Sequence, residues 1–279
     1  MLAEIRELGF SRVELSHGVP VSLVPGILEA VREGVVKVSS LHNFCPLPSG
    51  TDRAAPNFYE PSAGNRVERT AWLRQSLRTL ELARCVGANC VVMHGGSVHF
   101  RFRSPAPKLA SRNDGDGMQR GKALQRLQKR SAPALSRVES QIRHLLSEAG
   151  EEAPCLALEN REGILELPLD DQFPDLLGRF DPRHLAYWHD TGHAEIKRRM
   201  GLLDPLSRLE QLADRTAGFH VHDVHANGRD HQPLGSGTVD FAYLREFIRP
   251  CHHVVLELHP RVSGEEVIAS RKRLLDLLS

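Results

Sequence analysis

Seven apolar runs with the character of β-strands alternate with helical patterns along almost the whole 279-residue chain. They are RVELS (12–16), VVKVSSLHNF (35–44), CVVMHG (90–95), CLALEN (155–160), HLAYWHD (184–190), GFHVHDV (218–224) and HVVLELH (253–259). Parallel strands need a crossover between them, so strict alternation with helices argues for βα units on a parallel sheet. Helices are predicted near 22–33, 66–86, 133–149, 171–179, 204–215, 240–249 and 264–278. In the second of these, Trp72, Leu73, Leu77, Leu80 and Ala83 recur at helical spacing and should face the sheet. The last opens with Ser263 and Glu266, the spacing of a capping box. The opening segment LAEIRELGF reads as one more helix, ending at Gly9.

A closed (β/α)8, or TIM, barrel has eight strands and a typical size of ~250 residues. The chain has the size but shows only seven strands, because it opens inside what should be the first helix. The expectation is one barrel domain over residues 1–279, with its first strand missing from this chain and supplied upstream. Otherwise the barrel stays open and an unpaired strand edge becomes an aggregation liability.

Five of the strands run straight into residues able to bind a metal: VVMHGG, LALEN, LAYWHD, GFHVHD and VVLELH. In a parallel barrel all strand carboxyl ends gather at one face, where active sites lie. Two long connections leave that same face. One is Pro-rich, residues 46–64; the other is a basic insertion at about 97–132. From Arg101 to Arg143 there are eleven Lys or Arg against three acids. Structureless loops of that length are functional or disordered, so the insertion reads equally as a lid or as a solvated stretch.

Composition restricts the setting. Hydrophobic residues at 41% and charged residues at 25% are ordinary for a soluble protein with a substantial core. A formal net charge of +1 gives no overall bias toward nucleic acid or an anionic membrane. The five cysteines form no CxxC pair and read as reduced thiols, which fits the cytoplasm. No apolar stretch approaches the ~20 residues that span a bilayer, and the N-terminus lacks a signal core.

Glu159 and Glu257 each end an apolar strand, where a buried carboxylate is costly unless paired or metal-bound. For either alone, a structural salt bridge is an equal alternative. Asp190 and His193 form D-T-G-H and would face one site if a turn or helix begins at Asp190; Asp190 could instead simply cap that helix. His220 and His222 alternate and so point to one side of their strand, with Asp223 on the other. His231 follows in GRDHQPLGSG, whose glycines allow close approach to a ligand. His42 and His94 lie at strand ends, each alone no more than a hydrogen-bonded histidine. A His/carboxylate set without thiolate suits Zn²⁺, Mn²⁺, Co²⁺ or Mg²⁺.

Taken in order, GFSRVELSHG, LALENREG, HDTGHA, FHVHD, LGSGTVDF and VVLEL make the chain resemble the xylose isomerase-like barrel superfamily, which groups sugar isomerases and epimerases with apurinic endonucleases. In its epimerase-like members one divalent metal is held by Glu, Asp, His and Glu; those roles fall on Glu159, Asp190, His220 and Glu257. The resemblance implies an isomerase or epimerase acting on a small-molecule sugar or sugar phosphate. Glu159 and Glu257 would move the proton through a metal-stabilised enediolate, with His193, His222 and Arg161 binding substrate. It allows a homo-oligomer. The zinc-dependent endonucleases add ligands resembling His42, His94, His193 and His231, so an apurinic-endonuclease-type phosphodiesterase acting on nucleic acid is the alternative. There the pattern departs, because the Asp expected two residues before His231 is Arg229, with Asp230 adjacent.

Overall fold

The computed structural model describes residues 2–51, 56–111 and 117–279. All seven predicted strands are present: β1 (Arg12–Leu15), β2 (Lys37–His42), β3 (Cys90–Met93), β4 (Cys155–Glu159), β5 (Leu185–Asp190), β6 (Thr216–Val221) and β7 (His253–Leu256). They pair in parallel, in sequence order, as one sheet. The sheet curls into a nearly closed barrel. Among the described residues no ladder joins β1 to β7, so the barrel lacks one strand there.

The period of two along each strand sorts side chains between two environments. On β3, β4 and β5, residues Val91, Met93, Leu156, Leu158, Leu185 and Tyr187 face the helices and join the main core. Their neighbours Cys90, Val92, Ala157 and Trp188 point inward and fill the barrel as a separate small cluster. One step further along the same inward rows come His94, Glu159 and Asp190. The buried plug of the barrel is therefore the floor of the polar site.

The helices are α1 (Leu2–Glu7), α2 (Val24–Arg32), α3 (Arg66–Val86), α4 (Ala106–Ala110), α5 (Gly117–Ala149), α6 (Phe173–Leu177), α7 (Thr191–Arg199), α8 (Pro205–Leu212), α9 (Leu244–Phe247) and α10 (Gly264–Leu278). Asn65 caps α3 by accepting from the Val67 amide, and the helix stops at Gly87 in left-handed conformation. Ser263 and Glu266 form the expected capping box of α10.

The basic insertion corrects the sequence reading. The stretch read as a structureless loop contains α4 and the first half of α5, which runs unbroken through Pro133 to Ala149. Ala123, Leu127, Ser131, Ala134, Val138, Ile142 and Leu145 form one buried stripe at spacings of three and four, so the helix packs along its whole length. Residues 52–55 of the Pro-rich connection, and Arg112, Asp114 and Asp116 of the basic stretch, lie outside the described residues. No helix among the described residues is long and apolar enough to cross a membrane.

Candidate metal centre

Each of the seven strands delivers one inward side chain at its carboxyl end: Glu14, His42, His94, Glu159, Asp190, His220 and Glu257. His94 and Glu257 sit one residue past β3 and β7. Six of these strand-end residues were singled out from the sequence; Glu14 was not. Its signal, an acid inside the short strand RVEL, is of the same kind but lacks a second polar residue beside it. A register shift between Val13 and Glu14 re-aims Glu14 toward the site, and a second shift precedes Trp188 and Asp190 on β5.

His220 is the hub. Its Nδ1–H donates to Glu159 Oε1 at 2.6 Å and lies 3.0 Å from Glu257 Oε2, while its Nε2–H donates to Glu14 Oε1 at 2.9 Å. Burial disfavours charge on this ring, but Glu257, Glu14 and Glu159 outweigh it and hold its pKa well above the ordinary imidazole value. Burial likewise pushes Glu159 and Glu257 toward neutrality. Arg161 and His220 overcome it at Glu159, and His220 does so at Glu257, so both stay below the usual carboxylate range. Glu159, Asp190, His220 and Glu257 each place a ligand atom within 4.8 Å of the others. Three carboxylates and one imidazole, all but Glu257 buried, suit a divalent cation, which would neutralise a cluster now bridged by a single shared imidazolium.

Asp190 is positioned from three sides. Its amide donates to Asn160 Oδ1, and Asn160 returns a bond to the Asp190 carbonyl, locking the ends of β4 and β5 together. Its carboxylate caps α7 through the His193 amide at 2.7 Å, the capping that D-T-G-H allowed. The other oxygen accepts from His222 Nε2 at 2.9 Å. His222 fits only because residue 192 is Gly; a Cβ there would lie 2.0 Å from the imidazole ring.

Two further groups flank this set. His42, His94 and Glu159 form one; His193, His222 and His231 form the other, again with ligand atoms within 4.8 Å. His42 Nδ1 donates to the Asn43 carbonyl and His193 Nδ1 to the Asn160 carbonyl; the Nε2 of His193 lies 3.0 Å from Glu162 Oε2. His231 holds a left-handed φ of 54°, and its Nδ1 lies 3.2 Å from Asp230 Oδ1. Asp230, the residue out of place in the sequence pattern, thus serves His231. Burial opposes charge on that ring, yet Asp230, Glu257 and Asp190 raise its pKa to about 9.

His17 is a member the sequence reading missed. It meets His42 edge-on at 4.7 Å between centroids, and burial with help from His42 lowers its pKa to about 3. Arg161 donates to Glu159 Oε2 at 2.7 Å and pairs with Glu162 and Glu166, so its guanidinium is engaged on three carboxylates. The amides of the glycine loop after β6 turn onto a side chain of the protein itself. The Asp223 carboxylate accepts from the amides of Val224, Gly235, Gly237 and Val239. A Cβ at Gly237 would lie 2.2 Å from the Val224 carbonyl, so this close wrap needs glycine.

A family model, the xylose isomerase-like TIM barrel, matches residues 2–275, and the chain belongs to that family. No match is found among curated protein sequences. Solved structures of similar fold include an L-ribulose 3-epimerase (TM-score 0.70, 14% identity, covering 99% of this chain and 87% of that one). A D-tagatose 3-epimerase-like protein matches with TM-score 0.67 at 18% identity, covering 99% and 91%. The D-psicose 3-epimerase of Clostridium cellulolyticum H10 matches with TM-score 0.68 at 12% identity, covering 100% and 92%.

Proposed function

We infer that the chain is a divalent-metal-dependent isomerase or epimerase of a small, uncharged sugar. The observation that carries this reading is the convergence of Glu159, Asp190, His220 and Glu257 at the strand ends, with ligand atoms within 4.8 Å of one another. The similar folds among sugar 3-epimerases support it. Seven carboxylates, Glu14, Glu159, Glu162, Glu166, Asp190, Asp230 and Glu257, surround the site against Arg161 and the protonated rings of His220 and His231. That balance favours a cation and a neutral polyol over a phosphorylated substrate.

Glu159, Asp190, His220 and Glu257 would hold the ion, whose chemistry is to polarise a carbonyl and its neighbouring hydroxyl. The two glutamates carry the proton. One carboxylate removes it from the carbon beside the carbonyl, the C–H electron pair forms the carbon–carbon double bond of an enediolate, and the carbonyl pair moves onto oxygen. The neighbouring hydroxyl gives its proton to the other carboxylate, which delivers it to carbon, and the first carboxylate returns its proton to the oxygen left bare. Glu257 is partly exposed and Glu159 is buried. His193, with Nδ1 on the Asn160 carbonyl and Nε2 3.0 Å from Glu162 Oε2, would orient a substrate oxygen together with Glu162.

The test is deuterium uptake from D2O into D-tagatose, D-psicose and L-ribulose, with bound metal counted in parallel. Glu257→Gln should lower exchange by about a thousandfold, the scale of a general acid–base contribution, while keeping most of the ion. Unchanged turnover would remove Glu257 from the chemistry. A protein that binds no divalent ion, and melts no higher when one is added, would sink the reading. One second reading, a multi-metal phosphodiesterase, would need ions at the two flanking His clusters; cleavage of an abasic-site duplex by the same preparation would install it.

A further inference from the structure

The flanking groups offer enough ligands for three ions, yet the surroundings of each leave room for one only at the central four. In the His42–His94–Glu159 group, Glu159 must lend an oxygen. Its Oε1 is already directed at His220, 2.6 Å away, and belongs to the central set. Only Oε2 remains. It lies 3.0 Å from His94 Nε2 and 3.9 Å from His42 Nε2, and Arg161 Nη1 donates to it at 2.7 Å.

Arg161 cannot deprotonate to make way. Nor is it free to swing aside, because Glu166 Oε1 holds its Nε at 3.2 Å and Glu162 Oε2 holds its Nη2 at 3.1 Å. The side chain is 12% exposed, so water screens its charge little. A dication between His42 and His94 would share its only carboxylate oxygen with a fixed positive charge.

The third group fails for a different reason. The His222 and His231 rings stack 4.2 Å apart with planes 9° from parallel. An imidazole lone pair lies in its ring plane, and near-parallel planes at that spacing do not meet at one ion.

We propose that this chain holds a single divalent ion and that the Arg161 guanidinium takes the place of a second ion at His42–His94–Glu159. The proposal rests on the central four residues holding the first ion. Arg161 places its positive charge against Glu159 Oε2 there, at 2.7 Å, and it closes a ligand set that is otherwise complete.

The test counts ions per chain by elemental mass spectrometry after loading metal-free protein with Co²⁺ or Zn²⁺. Wild type and His94→Ala should each bind one. Arg161→Ala should bind two, and Arg161→Ala with His94→Ala should return to one; the Co²⁺ spectrum of the single variant should show the added imidazole ligands. Arg161→Met, which keeps most of the stem, is run in parallel, with folding of each variant checked by circular dichroism. A folded Arg161→Ala or Arg161→Met that binds one ion overturns the proposal. So does a wild-type count of two or more that drops in His94→Ala or His231→Ala. If neither neutral variant folds, the wild-type and His94→Ala counts decide. A wild-type count of zero instead overturns the proposed catalytic ion itself.

Discussion

At the scale of the residue, the centre is a set of charges that burial opposes and neighbours enforce. His189 shows the opposite balance. It lies on the outer face of β5, its ring nitrogens contacting the hydroxyls of Tyr187 and Tyr243, and burial lowers its pKa to about 4 despite the pull of Asp190. Unfolded, the same ring takes its proton near pH 6.5. Between those values the unfolded chain binds a proton that the folded chain refuses, so folding stability is complete above pH 6.5 and falls as pH drops toward 4. At pH 5 this amounts to about 2 kcal/mol. Urea unfolding at pH 7 and pH 5 should show His189→Gln losing less stability on acidification than wild type by that amount. Equal losses would assign the acid sensitivity elsewhere. His17, lowered to about 3, acts in the same direction.

At the scale of the element, the strands were legible, while α4 and α7 fell outside the predicted helices and α5 was cut short. A short apolar run ending in His, Asp or Glu announces both a parallel strand and its site residue, which is how His94, Glu159, Asp190, His220 and Glu257 were found. Glu14 hid because its strand is four residues long and reaches the site through a register shift, a feature of backbone pairing that no spacing encodes. His222 was visible, but its bond to Asp190 depends on the space left by Gly192 across a strand boundary. Helix α5 was cut short at Pro133, although the buried stripe from Ala123 to Leu145 runs straight through it. Proline has no N–H for the carbonyl one turn earlier and crowds it, a cost of about 3 kcal/mol in a helix interior. Pro133 is exposed. Pro133→Ala should therefore stabilise the protein by about 2 kcal/mol once the unfolded chain's gain in freedom is subtracted. A denaturation midpoint that fails to rise would mean that neighbouring structure already compensates the missing bond.

At the scale of the whole molecule, seven strands contribute one ligand-type side chain each, so no single unit contains the site and all must be in register to form it. The ladder is interrupted between β1 and β7, where hydrogen bonds join neither strand to the other. One contact across the barrel interior ties β1 to the far wall: Glu14 on β1 accepts from His220 on β6 at 2.9 Å. An ion at the central four residues would fix His220, and with it the partner of Glu14. Adding Co²⁺ or Zn²⁺ should slow hydrogen exchange at the amides of Val13, Glu14 and Leu15, and Glu14→Ala should erase that protection while leaving the amides of β4 protected. Protection of β1 that survives Glu14→Ala would show the edge to be held by other means. The Glu14–His220 bond thus behaves as a keystone. The pair beside the proposed ion site also braces the wall at its seam, so losing a bound ion there would slacken β1 first.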